Sequence, residues 1–586
     1  MPFLSGMISG VSAGQVTETA DRLFMTAAER TTVGSFRNVM TFAGVQAAVD
    51  AGTNATAAIQ AAIDACAPLG IPLYFPAGTY RVKNLLLRAN TSLFGSGRLT
   101  IFKALDGIAS WDAVIAEAAS GIHNVRLRSF MVDGNKAAAV GTTQMHGIKF
   151  DGANDNLLIE DVHAKDCFSD GFWITSSGSG ANIPTNVTLR RCSAQDCGRM
   201  DFALINVDGA TVDDCYGNGM FDIEANSNAE TCKNICISNL RFNAITIGTL
   251  AASSGGTSDS PVVGTNLLAV ESIAIWGVRK GSFSNLVTPG EVTISVSDSV
   301  ALSSVQCGAL KSSSITDAYF SANVVISGLR VHGHASLTYG VRLDNAYSHH
   351  ISDAIIRTGD VADSRGIEID GDAPFAGGRN VFKDVTVEKW TGIGIYINAA
   401  TSENMETVLE NVTVLAGEPG STNALQHSVL GSYPYGTLKL RDCEFNGPIS
   451  LGDHYRVSIR DCMIIGDHNL NCTSSPVMRL VIDGLKFRRA TAGTPALTLT
   501  GCADVQELVL KDIAQEPAGS VSVSLSTSVF GANVKAWIDG LVVESTSWAT
   551  NLPDANIREG SMYRLRGSAT NWGYTHNGTA WVAKPH

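Results

Sequence analysis

The sequence predicts an all-β solenoid of stacked parallel coils, and three observations carry that prediction. A short alternating pattern returns on successive passes of the chain: HGIKFDG (His146–Gly152), DGFWITS (Asp170–Ser176), DFALINV (Asp201–Val207) and MFDIEAN (Met220–Asn226) superpose. Alternation by two places Ile148, Phe150, Phe172, Ile174, Phe202, Leu204, Phe221 and Ile223 on one face, and Lys149, Trp173, Ala203 and Asp222 on the other. Between these strands lies a second template, apolar at i, i+2 and i+5, as in Leu157-Ile159-Val162 and Val187-Leu189-Cys192. Its two-residue skip suits a strand that turns a corner. The last residue of the template recurs at Phe130, Val162, Cys192, Cys215, Leu240, Leu286, Val305, Leu329, Ala354, Val385, Val412, Cys443, Cys462, Leu485, Ile513 and Leu541. The intervals are mostly roughly 19 to 32 residues, the size of one coil that buries its inner face only by stacking on neighbours. With ~4.8 Å between stacked strands, about sixteen coils make a rod of roughly 75 Å.

Composition agrees. A solenoid absorbs 586 residues without a spherical core to outgrow, and 58 glycines with 7% aromatic residues fit many tight corners. A net charge of −13 argues against nucleic acid as a partner but does not exclude an anionic polysaccharide. The start, MPFLSGMISG, lacks a basic region followed by a sustained apolar run, and no apolar stretch approaches the ~18 residues of a membrane span. A protein without signal peptide or membrane insertion is expected. Of twelve cysteines, Cys192, Cys215, Cys443 and Cys462 fall on the inward i+5 position, and Cys167 and Cys197 share another repeat position. They read as small apolar core residues and not as disulfides or zinc ligands, because no pair of CxxC knuckles is present.

Taken in order, residues 1–38 are small and polar around ADRLFMTAAERTTVGSF (Ala20–Phe36), a segment that resembles those in phage tail-fibre and tail-spike heads. NATAAIQAAIDAC (Asn54–Cys66) predicts a helix capped by Asn54 or Thr56, apolar at Ile59, Ala62, Ile63 and Cys66, and ended by Pro68 and Gly70. Strands follow in LYFPAGTYRV (Leu73–Val82) and LLLRANTSLFGSG (Leu85–Gly97). Such a helix is a lid on the first coil, whose open end otherwise invites aggregation. This AAIQAAIDA helix followed by YFPAGTY resembles the N-terminal cap of the pectin-lyase-like superfamily, which implies a right-handed parallel β-helix. The expected organisation is a head or attachment segment (1–38), the capping helix and first coils (39–100), the β-helix (101–545) and a small C-terminal β element (546–586). The periodicity lapses between Ile247 and Val270, where the interval is twice the usual, so a long loop or a disguised coil is expected. In the tail, Asn577-Gly578 marks a hairpin turn between Tyr574 and Trp581.

Outward residues on the repeated strand stack into ladders, and the most acidic point is Asp222 with Glu224. Strand geometry spaces them by about 7 Å on one face. Glycoside hydrolysis needs two carboxyl groups flanking the scissile bond, and ~6.5–9.5 Å between them suits an inverting mechanism. Crowding raises one of the two pKa values and sets an acid beside a base. Asp201, Asp170 and His146 stand where neighbouring passes enter the same strand. The catalytic candidates are therefore Asp222, Glu224 and Asp201. The substrate-binding candidates are Trp173, read as an exposed sugar-stacking ring two coils from Asp222, with Asp170, Arg199, His146 and Trp276. The competing reading makes Asp222 and Glu224 solvated face residues. A rival column runs through GVRLDN (Gly340–Asn345), GIEIDGD (Gly366–Asp372) and GIGIYIN (Gly392–Asn398), with Arg342 near Glu368 and Asp344 near Asp370. It reads more simply as surface ion pairs. His332, His334, His349 and His350 form no metal-ligand triad. Pectate lyases of the superfamily use calcium held by Asp residues and an Arg base, but no residue-by-residue match to that site exists, so no metal or cofactor is expected.

The resemblance implies action on a bacterial surface polysaccharide by a homotrimeric phage or prophage tail spike, attached to the tail or baseplate through its N-terminus. A hydrolase is the leading expectation. A polysaccharide lyase or uronate epimerase, and a non-catalytic receptor-binding spike, are the alternatives.

Overall fold

The structure is a computed structural model that describes residues 36–541, apart from short segments within that span, and the strands Met562–Leu565, Trp572–His576 and Trp581–Pro585. It is a right-handed parallel β-helix. Each strand pairs in parallel with its counterpart one coil on, as Asp155–Lys165 does with His123–Asp133 and with Thr185–Arg190. Parallel strands joined by crossovers within one sheet take the right-handed path.

The corner has a simple cause. The residue just before each inward i+5 position is left-handed: Ser129, Asp161, Arg191, Asp214, Asn239, Asn285 and Asp353 have φ between 49° and 56°. One such residue breaks the pleat and returns the next side chain to the interior. Asn and Asp tolerate that conformation best after Gly, and here they also tie coils together. Asn239 Nδ2 donates to Asp213 Oδ1 (2.9 Å), Asn266 Nδ2 to Asn239 Oδ1 (2.8 Å), and Asn285 Nδ2 to Asn266 Oδ1 (2.8 Å).

The core is a stack of inward side chains, and the template residues from Phe130 to Ile513 are all buried. The side chain of Leu541 lies outside the described residues. Phe172 stacks on Phe202 at 4.4 Å between ring centroids, and Phe202, Phe221 and Phe242 continue the column. Cys192, Cys215, Cys443 and Cys462 are buried, free thiols, and Cys167 and Cys197 are free as well.

The lapse before Val270 is a disguised coil. Val262–Trp276 pairs with Lys233–Gly248 on one side and Arg279–Val287 on the other, and Leu267 stands in register between Leu240 and Leu286. The template is hidden because its i+2 position is Gly264, whose missing side chain is replaced by the Phe283 ring of the next coil. A Cβ on Gly264 would lie 2.5 Å from Phe283 Cδ1.

At the N-terminal end the helix Thr56–Cys66 buries Ile59, Ala62, Ile63 and Cys66. Asn54 Oδ1 accepts from the Thr56 N–H (2.9 Å), so Asn54 is the capping side chain. Gln60 bonds both backbone groups of Leu86, at 2.8 and 2.9 Å, and so docks the lid on a strand. At the far end Trp572–His576 and Trp581–Pro585 pair antiparallel, as a hairpin requires. The Asn577-Gly578 turn and the Ala20–Ser35 part of the head lie outside the described residues. Among the described residues no helix is long and apolar enough to cross a membrane.

Candidate active site

The repeated strand builds the site. Register places Lys149, Trp173, Ala203, Asp222, Thr246, Ala274 and Thr293 in one outward row, and Ile205, Glu224, Gly248, Trp276 and Ser295 in the next. Asp222 and Glu224 therefore leave one face of Met220–Glu224, as the alternation requires, but the face is not open. Asp222 is 3% exposed and Glu224 is half-buried.

The cover comes from the site itself. His146 stacks on Trp173 with ring centroids 4.4 Å apart and planes 3° from parallel, and Trp173 packs with Ala203, Ile205 and Met200 in a small cluster outside the main core. Trp173 is thus a buried ring and not the exposed platform the alternation implied. Lys149 Nζ lies over it at 5.4 Å. Period-two patterning assigns Trp173 a face but is blind to a side chain from the neighbouring coil folding over it.

Asp170 is fully buried and fully used. Arg199 Nε donates to Oδ1 (2.8 Å) and Arg199 Nη2 to Oδ2 (2.5 Å), while the Met200 N–H donates to Oδ1 (3.0 Å). His146 Nδ1 stands 3.0 Å from Oδ2 but is poorly aligned for a hydrogen bond. Burial pushes the Asp170 carboxyl up, yet His146 and Arg199 outweigh it and hold it below the usual range. Burial likewise holds His146 below its ordinary value despite Asp170, so the ring is neutral.

Asp222 and Glu224 behave differently. Burial, then the charge of Glu224 and the hydrogen bond between the two carboxyls, push Asp222 up to about 8. Glu224 is also raised, by burial first, with Arg199 opposing. Asp222 keeps the proton and Glu224 accepts it, an acid beside a carboxylate. Cα atoms two apart on a strand are about 7 Å separated, and the hydrogen bond between the carboxyls draws their side chains toward one another.

Asp201 does not join them. Phe172 pairs with Phe202, so Asp170 aligns with Met200, and Asp201 is one position later. Asp201 precedes the strand Phe202–Ile205, so alternation does not fix its direction. The Asp201 carboxyl turns into the corner, accepts the Gly219 N–H at 2.6 Å, and fills the space beside Gly217, where a Cβ would lie 2.0 Å from Oδ2. Burial, partly offset by that N–H, raises it to about 6. It serves the corner, not the outward face.

Trp276, by contrast, is half-buried, two rungs from the pair on the same face. Its indole lies over Gly248, where a Cβ would meet Cε2 at 1.9 Å, and so leans along the row toward Glu224. Gly248 was not singled out from the sequence; a glycine inside an alternating strand is the signal that marks such a close approach.

In the rival column Arg342 pairs with Glu368 in register and Asp344 with Asp370. Arg342 Nη2 is 3.1 Å from Asp370 Oδ2 and 3.6 Å from Asp344 Oδ2, and Arg365 pairs with Glu368. These carboxylates are neutralised in an ion-pair network. His349 Nε2 is 2.8 Å from Ser312 Oγ in the interior, a structural contact. Among the described residues no group of three or more His, Cys, Asp and Glu is placed to hold a metal ion.

The fold is a parallel β-helix that carries an outward carboxyl pair. Residues 36–221 match the family model described as "Rhamnogalacturonase A/epimerase, pectate lyase-like", a span that ends just before Asp222. No curated protein matches the chain. Three solved structures show the range of likeness. Pre-mature bacteriophage phi29 gene product 12 is 14% identical over 83% of this chain and 72% of that one, with a TM-score of 0.38. Polygalacturonase from Erwinia carotovora ssp. carotovora is 15% identical over 64% and 94%, with a TM-score of 0.29. The A-module of Azotobacter vinelandii mannuronan C-5 epimerase AlgE4 is 15% identical over 83% and 97%, with a TM-score of 0.24. Likenesses this distant carry no reading of the site.

Proposed function

We propose that the chain is a polysaccharide depolymerase that hydrolyses a bacterial capsular, exopolysaccharide or O-antigen chain and is carried as a phage or prophage tail spike. The observation that carries the catalytic part is the Asp222–Glu224 pair on one face of Met220–Glu224, with Asp222 pushed up to about 8 beside a second carboxyl on which Arg199 opposes the rise. In the resting pair Glu224 accepts the Asp222 proton. A glycosidic oxygen that enters between them takes the place of Glu224, receives the proton as its bond to the sugar breaks, and leaves Glu224 to stabilise or attack the anomeric carbon. Carboxyls that start in contact open more readily to the about 5–5.5 Å of a retaining enzyme than to the ~6.5–9.5 Å that admits an inverting water. The matched family's description, a rhamnogalacturonase and epimerase, supports a polysaccharide as substrate.

The spike part rests on the tail-fibre resemblance of Ala20–Phe36. In this reading residues 1–38 attach to the tail or baseplate and three copies assemble side by side. Light scattering of the intact protein checks the assembly, and a monomer mass overturns it. The catalytic part is tested by incubating the protein with a panel of bacterial surface polysaccharides. New reducing ends are expected, without the ultraviolet signal of an unsaturated uronate. That signal means a lyase, and binding without fragments means a non-catalytic spike.

A further inference from the structure

We infer that the outward rows running from Asp222 toward Lys311 form a trough for an uncharged polysaccharide, laid along the rod axis with one pyranose stacked on Trp276. This rests on the reading that the face bearing Asp222 and Glu224 is the substrate face, and it adds the class of sugar that the face accepts.

The rungs below Asp222 and Glu224 are Thr246 with Gly248, Ala274 with Trp276, and Thr293 with Ser295; Lys311 with Ser313 closes the run. Small side chains make the floor shallow, and one aromatic rises from it. The Trp276 ring has Gly248 beneath it and stays half-buried, so one of its faces is spent on backbone while the residue keeps contact with solvent. That is how an indole meets the apolar face of a pyranose. Coil spacing of ~4.8 Å is close to the length of one sugar along a chain, so successive rungs meet successive residues. Four steps from Asp222 to Lys311 make about 19 Å of floor. Hydroxyls lie along it: Ser295 Oγ and Ser313 Oγ are 3.0 Å apart, and Thr293 Oγ1 is 3.2 Å from Glu291 Oε2.

Charge excludes a polyuronate. Each uronate carboxylate brought against this face requires a cation with charge to spare, beside two carboxyls already crowded together. Among the described residues the rungs between Asp222 and Lys311 carry none. Arg199 gives Nε and Nη2 to Asp170 and turns the rest of its charge to Asp222 and Glu224, Lys149 stands over Trp173, and Lys311 and Arg342 both reach Asp344, at 3.8 and 3.6 Å. The floor offers hydroxyls and one ring, which is recognition for neutral sugars.

The test is calorimetric binding to the Glu224→Gln protein, using neutral oligosaccharides (glucans, galactans and rhamnans) and oligogalacturonate of equal length. A neutral oligosaccharide is expected to bind, with Trp276→Ala weakening it about tenfold and Trp276→Phe retaining most of the affinity. Gly248→Ala is expected to reproduce Trp276→Ala, because the new Cβ displaces the indole; melting curves establish that each variant is folded. Preference for oligogalacturonate, binding of no neutral member, or unchanged affinity in Trp276→Ala overturns the inference. If wild type binds neutral sugars through Trp276 but releases no reducing ends, the hydrolase reading fails and the trough stands. If it cleaves and Trp276→Ala leaves KM unchanged, the trough fails and the hydrolase reading stands.

Discussion

Arg199 grips both oxygens of Asp170, at 2.8 and 2.5 Å, and still faces Asp222 and Glu224 with part of its charge. Asp170 is fully buried, so this contact satisfies a charge that has no access to water. Removing the cation has two effects at once. Arg199→Ala is expected to destabilise the protein by about 3–5 kcal/mol, because an ionised carboxylate is left buried without its partner. It also removes a cation that lowers both Asp222 and Glu224, so both limbs of any activity profile set by the pair move to higher pH. Arg199→Lys restores the charge but not the fork, and recovers the pH profile more fully than the stability. Denaturant titration and a pH–rate profile on the three proteins check this.

Asp222→Asn keeps size and hydrogen-bonding reach but removes the proton that can be given up. It is expected to lose on the order of 10²-fold or more in rate while binding substrate, and Glu224→Gln likewise. Asp370→Asn is expected to stay near wild type, since Asp370 belongs to the Arg342 network. Full turnover in both 222 and 224 variants, with loss in Glu368→Gln or Asp370→Asn, moves the site to the later coils.

The same raised group makes stability depend on pH. Folded Asp222 holds its proton to about 8 against an ordinary 3.8. Below the ordinary value both folded and unfolded chains are protonated and nothing is lost. Above it the unfolded chain gains by ionising and the folded chain does not, so a cost grows through the window and is complete above the folded value. Asp222→Asn escapes that cost. Its melting temperature is expected to exceed wild type by several degrees near pH 8, with the gap closing toward pH 4. A gap that is constant with pH contradicts the proton assignment.

Contact between the two carboxyls also predicts stereochemistry. Retention of anomeric configuration is expected, followed by proton NMR of the first products before mutarotation. Inverted product means that substrate drives the carboxyls apart to admit a water.

Most of the fold was legible because its cause is local and repeats. The i, i+2, i+5 template reflects one left-handed residue at each corner, such as Asp161 or Asn239, and an apolar side chain after it. It failed at Gly264, where the volume of one coil is supplied by Phe283 of the next and no side chain marks the inward position. The site was legible in part. Alternation put Asp222 and Glu224 on one face, which the register bears out. It could not show that His146 folds onto Trp173, because alternation groups His146 with Ile148 and Phe150 on the other face and the contact crosses coils. Nor could it show that Asp201 turns into the corner, since Asp201 stands just ahead of the strand Phe202–Ile205, where alternation does not hold.

The left-handed corners have one further consequence. Because corner side chains bond their equivalents one coil away, as Asn285, Asn266 and Asn239 do, these coils present the same docking edge above and below. The rod's length is therefore quantised. Material enters or leaves it in whole turns of ~4.8 Å, or else bulges out as a loop between corners without changing the height of what lies beyond. The distance from the lid at Thr56–Cys66 to the Asp222 rung is a count of turns, and gain or loss of a turn above the site shifts its reach from the base by a fixed step while leaving its chemistry intact.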